Sequence, residues 1–217
     1  MNFKKRSTIL IIISIVVLIT SVFAWFSINK KTPPIIQEAG EVSLIVLPYL
    51  RKGVNTYNLE PKKTYGDNDK NKVYALNISN FDNNNHINNL RVDFEITSSV
   101  ETYFRVRIID TMTLTYVRAD GKTVELTIPR ASYDEIPYGI DYDDWYYDET
   151  SDWYYYKEKV TAADGFITFI KEGLSYPLWP DDYTIQFGLI IEAVQAKGGP
   201  FNNWGLNNPP WDEEGDW

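Results

Sequence analysis

The chain has 217 residues, 44% of them hydrophobic and 15% aromatic, with 30 acidic against 21 basic side chains and a net charge of −9. That apolar content closes one core, while the sign of the charge argues against nucleic acid, whose phosphates are held by clustered Lys and Arg. Cysteine is absent and histidine occurs once, which removes disulfides, thiolate metal sites and any zinc centre built from several histidines.

Residues 1–24 read as an export leader. Lys4, Lys5 and Arg6 are followed by an apolar run from Ile9 to Ile19 and then by Thr20, Ser21, Val22, Phe23 and Ala24. The run matches a signal-peptide core and is short for a bilayer-spanning helix. Extended through Val22, Phe23, Trp25 and Phe26 it reaches a marginal span, which is the alternative of a retained anchor. Val22 and Ala24 suit the positions that a signal peptidase reads, placing cleavage between Ala24 and Trp25. The signal or transmembrane helix, and with it any membrane contact, then belongs to the precursor only. Losing Lys4, Lys5 and Arg6 from the 21 basic residues leaves 18 against 30 acidic ones, or −12.

Residues 25–40 form an N-terminal arm. In "WFSINKKTPPIIQEAG" the apolar tip Trp25, Phe26 and Ile28 precedes Lys30, Lys31 and the Pro33-Pro34 pair. Proline gives no ladder hydrogen bond and favours extended backbone, so the arm projects as a candidate donor strand. From 41 to 196 period-two alternation predicts strands at 42–47, 73–78, 90–98, 102–109, 112–117, 123–128, 166–170 and 183–193. Asp120-Gly121 is a hairpin dipeptide, and "NFDNNNHINN" at 80–89 is an Asn-rich loop in which His86 reads as solvated. About eight strands without a helical period predict an all-β fold, an antiparallel jelly-roll β-sandwich. Residues 130–152 then form an excursion from it, and 197–217 an irregular acidic C-terminal tail.

Catalytic motifs are missing. Neither Gly-x-Ser-x-Gly nor His-Glu-x-x-His occurs, and the chain reads as no enzyme, with no required cofactor. The densest chemistry is "DYDDWYYDETSDWYYYKEK" at 141–159. Asp141, Asp143, Asp144, Asp148, Glu149 and Asp152 offer oxygen ligands to calcium, in no EF-hand order. Trp145, Tyr147, Trp153 and Tyr155 are the candidate ligand-facing aromatics of a surface adhesin or carbohydrate-binding module. Against both stands packing, because alternate rings at 152–160 face opposite sides of a strand and Tyr and Trp are good strand formers. On that reading 153–156 is a strand and 141–149 the loop leading into it.

Four pieces carry a resemblance: the leader ending "FAWFS", "IIQEAGEVSLIVL" at 35–47, "SDWYYYKEKVTAADGFITFI" at 151–170 and "DYTIQFGLIIEAVQA" at 182–196. In this order, over nearly the whole chain, they resemble the TasA/camelysin family of exported proteins processed by a dedicated SipW-type signal peptidase. The usual Pro-Gly-Glu turn is replaced here by "TAADG". The resemblance implies a jelly-roll domain at the cell surface and a role as subunit of extracellular fibres or biofilm matrix, polymerised with itself or with related subunits by strand addition. Some members carry a metalloendopeptidase label, for which this sequence has no zinc motif.

The leader reading has a direct check. Intact mass of secreted protein is expected to correspond to a chain starting at Trp25, and a mass that retains Met1 to Ala24 replaces it with an anchored protein.

Overall fold

The computed structural model describes residues 42–65, 71–161, 165–173 and 175–217. The leader, the Ala24–Trp25 junction and the arm carrying Trp25, Phe26 and Ile28 lie outside them. The regular structure of the described chain is nearly all strand, in the order β1 (Val42–Lys52), β2 (Asn55–Asn58), β3 (Lys63–Tyr65), β4 (Asn71–Asn77), β5 (Leu90–Ser98) and β6 (Thr102–Val117). There follow β7 (Thr123–Thr127), β8 (Tyr138–Ile140), β9 (Trp145–Asp148), β10 (Trp153–Tyr156), β11 (Phe166–Gly173) and β12 (Tyr183–Gln195). They make two antiparallel sheets, ordered β2-β1-β5-β11-β8 and β3-β4-β12-β6-β10-β9, with β7 paired to the far half of β6. Helix is confined to short turns at Ile87–Asn89, Arg130–Ser132 and Pro200–Trp204.

The two sheets bury the rows that alternation predicts. Leu90, Val92, Phe94 and Ile96 of β5 face Phe104, Val106 and Met112 of β6 and Ile185 and Phe187 of β12 in one apolar cluster. Its aromatic centre joins both sheets: the Phe104 ring lies 5.8 Å from Phe94, and Trp145 lies 5.1 Å from Phe104 and 4.7 Å from Phe169. The Trp145 indole N–H donates to the Thr168 carbonyl at 2.8 Å, so its one polar atom is satisfied inside the core. Asp120-Gly121 closes the β6–β7 hairpin with Gly121 at φ 77°, the left-handed backbone that this dipeptide supplies.

Several expectations are corrected. Segments 102–109 and 112–117 are one continuous 16-residue strand, because nothing at Asp110-Thr111 interrupts its pairing to β12. Residues 130–152 are not an excursion: β8 extends the first sheet and β9 the second. The supposed loop at 141–149 therefore contains a strand, in which Tyr146 and Tyr147 pair with Tyr155 and Tyr154.

His86 is buried, at 1% exposure, rather than solvated. The surrounding asparagines fold the loop on itself: Asn77 Oδ1 accepts from the Ser79 and Asn80 amides, and Asn83 Oδ1 accepts from Asn85. The His86 ring packs 4.9 Å from Phe81, its Nδ1 accepts weakly from the Asn88 amide, and its Nε2 has no partner among the described residues.

Burial lowers the His86 pKa below its ordinary 6.5, since the charged ring is desolvated. A base depressed in the fold gives stability that is complete above its unfolded pKa and is lost as pH falls through the folded one. Urea midpoints are expected to fall between about pH 7 and pH 5 more steeply in the wild type than in His86→Gln; parallel pH profiles would refute the assignment.

Candidate functional site

Among the described residues, inward-facing side chains of the sandwich are incompletely covered at an open side between the sheets and at a cleft. Val42, Leu44 and Val46 point inward from β1, as Leu189, Ile191 and Ala193 do from β12, yet none of the six is fully buried and Ala193 is exposed. Together with Asn71 they line a gap of about 380 Å³. Among the described residues no strand covers the outer edge of β1 over 42–48, because β2 pairs only with Tyr49–Lys52. None covers the β4 side of β12 beyond Phe187, where its pairing with β4 ends at Tyr74. Two open edges thus border one apolar slot. Outside it, Ile45 and Ile190 are each about half exposed.

The cleft, of about 360 Å³, is walled by Asp110, Arg130, Glu135, Tyr142, Tyr147, Asp152 and Tyr154. Asp110 is the surprise, because it belongs to the inward row of β6. The register places it opposite Phe187 of β12, whose ring is fully buried. Tyr138 donates its hydroxyl to Asp110 Oδ2 at 3.0 Å. Burial raises the Asp110 carboxyl above the usual aspartate range, and this outweighs the lowering by the Tyr138 hydroxyl and Arg130. Tyr147 donates to Asp152 Oδ1 at 3.0 Å; burial and that bond push its phenol up to about 12. Asp152 holds its place from a left-handed backbone, φ 58°, which Asp tolerates better than most residues other than glycine.

Of the aromatics singled out in the sequence, Trp145 and Tyr155 are 1% exposed and Trp153 is 7% exposed, so none offers a ring face to a ligand. Tyr147 alone reaches the cleft. The aromatic hairpin β9–β10 splits its rings by side. Trp145, Tyr154 and Tyr156 pack against Phe104 and Phe169 in the core. Tyr146 and Tyr155 meet the C-terminal segment, whose Trp204 and Trp211 lie within 5.8 and 6.4 Å of Tyr155. Arg105 is clamped there between Trp153, 4.3 Å from the guanidinium carbon, and Trp204, at 4.8 Å, while both Nε and Nη2 donate to Glu192. The tail at 197–217 is irregular, as its composition predicts, and it is also the cover of this face.

The acidic residues of the segment disperse. Asp141 and Asp143 both approach Lys171, and Asp148 accepts from Thr150 and Ser151 in the β9–β10 turn. No group of three or more metal-ligating side chains forms among the described residues, and no helix among them is long and apolar enough to cross a membrane. Asp110 and the slot escape a sequence reading for different reasons. Asp110 is legible as the one charge in the row Phe104, Val106, Ile108, Asp110, Met112; the slot depends on where β2 and β4 stop, which no local pattern encodes. No family model, curated protein or solved structure matches the chain.

The clamp at Arg105 is expected to hold the tail. Trp204→Ala should lower unfolding free energy by about 2 kcal/mol, from lost burial and the lost cation–π contact. Limited proteolysis should then cleave within 197–217; a tail as resistant as the wild type's argues against the clamp.

Proposed function

We propose that the protein is a secreted, non-catalytic structural subunit of an extracellular filament or biofilm matrix, assembled by donating its N-terminal strand to a neighbouring subunit. The observation that carries this reading is the apolar slot between β1 and β12, where two open edges flank inward-facing side chains that the chain's described part leaves half covered. An incoming strand would complete either edge with main-chain hydrogen bonds and seat alternate side chains in the gap.

The arm suits the slot in length and pattern. The open stretch of β1 is seven residues, about 23 Å of strand, and residues 25–31 supply the same length. In an extended chain Phe26 and Ile28 share one face. Burying these two side chains contributes roughly 3–6 kcal/mol before the cost of ordering the arm. Removal of the leader by a dedicated signal peptidase would free Trp25, confining assembly to the exported chain. Partners are then copies of this chain, as a homopolymer, or related fibre subunits.

The jelly-roll reading has support in the strand order. With the hairpin partners β7 and β9 set aside, the strands from β4 through β5, β6, β8, β10 and β11 to β12 alternate between the sheets. That alternation places β4-β12-β6-β10 across from β5-β11-β8, with β1 added beside β5. Such a sandwich has true edges, unlike a closed barrel, and strand donation uses one of them.

Deleting residues 25–34 is expected to leave a folded monomer that forms no filaments by negative stain. Ala193→Glu, which puts a charge into the slot at a position already exposed, is expected to block growth while the β-sheet circular dichroism stays unchanged. Filaments of normal appearance from both variants would eliminate strand donation through this slot.

A further inference from the structure

A carboxylate in the inward row of a β-sandwich needs a reason, because desolvating a charge costs stability that an apolar residue at the same place would add. Asp110 has one hydrogen bond, from the Tyr138 hydroxyl, and no ion pair among the described residues. An asparagine would keep that hydrogen bond without the charge. The charge therefore answers to something in the cleft that Asp110 lines.

The rest of the lining says what. Three carboxylates, Asp110, Glu135 and Asp152, face the cleft against a single guanidinium, that of Arg130. Arg130 is already engaged, donating to the Tyr133 carbonyl at 2.9 Å with its guanidinium carbon 4.8 Å from the Tyr133 ring. The nearby Arg107 is committed as well, to the backbone carbonyls of Ser151 and Asp152, to the face of Trp153 and, at 3.6 Å, to the Asp152 carboxylate, which leaves Asp110 and Glu135 as the cleft's carboxylates without an ion pair among the described residues. The cleft is thus a net acceptor of positive charge. Its wall is aromatic: Tyr147 and Tyr154 stack at 4.6 Å and 28°, and Tyr142 stands 56% exposed at the rim. Ring faces attract cations, and carboxylates spread around rings suit an organic cation better than a bare metal ion, which gathers its oxygens at one point.

We propose that this cleft binds the primary ammonium group of a small solute, with Asp110 as its ion-pairing partner and Tyr142, Tyr147 and Tyr154 as its aromatic wall. A volume of about 360 Å³ admits a short chain amine or one amino-sugar ring. The ammonium donates to Asp110 and Glu135, and its carbon skeleton lies against the tyrosine rings. Asp152 stays occupied with the Tyr147 hydroxyl and so orients that ring. This site shares no lining residue with the slot between β1 and β12, so it stands or falls independently of filament assembly.

Calorimetric titration of the secreted protein with cadaverine, D-glucosamine and N-acetylglucosamine tests it. Binding by cadaverine or glucosamine is expected, with N-acetylglucosamine, which has the ring without the charge, weaker by about tenfold or more. A preference for cadaverine assigns the cleft to chain amines and a preference for glucosamine to amino sugars. Asp110→Asn, which keeps the Tyr138 bond, should weaken the amine by about tenfold. Glu135→Gln, at an exposed position where folding is not at stake, should weaken it by about threefold. The proposal is overturned if neither amine binds, if N-acetylglucosamine binds as well as glucosamine, or if both variants bind the amine as the wild type does.

Discussion

The fold depends on β6. At 16 residues it is about three times the usual strand, and it pairs with β12 from Thr102 to Leu114 along one side. Its other side is divided, with β10 on Arg105 and Val106 and β7 on Thr113–Val117. Every strand of the second sheet except β3, β4 and β9 therefore takes its register from β6 directly. The first sheet takes its position from the same strand through packing, because the Phe104 ring meets Phe94 of β5 edge-on. A one-residue slip of β6 would turn Phe104, Val106, Ile108 and Met112 to the surface and Arg105 and Arg107 into the core. That penalty fixes both layers at once.

The same alternation explains why the aromatic hairpin is architecture on both sides. β10 follows β6 at the edge of the second sheet, so its rings must divide between the two faces. The inner rings complete the core. The outer ones, Trp153 and Tyr155, would leave a large apolar face in water if the C-terminal segment did not cover them. Trp204, Trp211 and Trp217 supply that cover, with Trp217 reaching Tyr103 at 5.0 Å. A tail of Gly, Pro and Asn needs no regular element to do this, because its tryptophans act as separate anchors and the turns between them set only their spacing.

Much of this was legible in the sequence where the cause is local. Alternation locates the long strands, and Asp120-Gly121 the hairpin, because neighbours one or two residues apart decide both. Alternation alone does not join 102–109 to 112–117, because Asp110 interrupts the apolar row while the backbone ladder to β12 runs on past it. β8 and β9 were lost because three or four residues give too short a period, and their strand character comes from pairing with β11 and β10. His86 was misplaced because an Asn-rich loop looks solvated by composition, while its asparagines bond to backbone amides inside the loop and leave the ring facing Phe81. Burial of Trp145, Trp153 and Tyr155 depends on the tail and on β11, both distant in sequence.

Both incompletely covered regions depart from the pattern of the inward rows, which are apolar and buried apart from the hydrogen-bonded pair Ser98 and Thr102. At the slot the residues are apolar without being buried; at the cleft an inward, partly buried residue is charged. Each departure costs stability, and each is easily removed by ordinary substitution: a longer β2 or β4 would close the slot, and a leucine at Asp110 would restore the row of β6. An open edge with Ile45 and Ile190 half exposed also invites uncontrolled pairing unless something of defined sequence occupies it. The proposed donated strand would satisfy the backbone and the apolar gap together, and the proposed ammonium group would satisfy the cleft alone. The two departures differ in chemistry for the same reason that they differ in place: one sits where a sheet lacks a strand, the other where the strands are complete and a side chain has been changed.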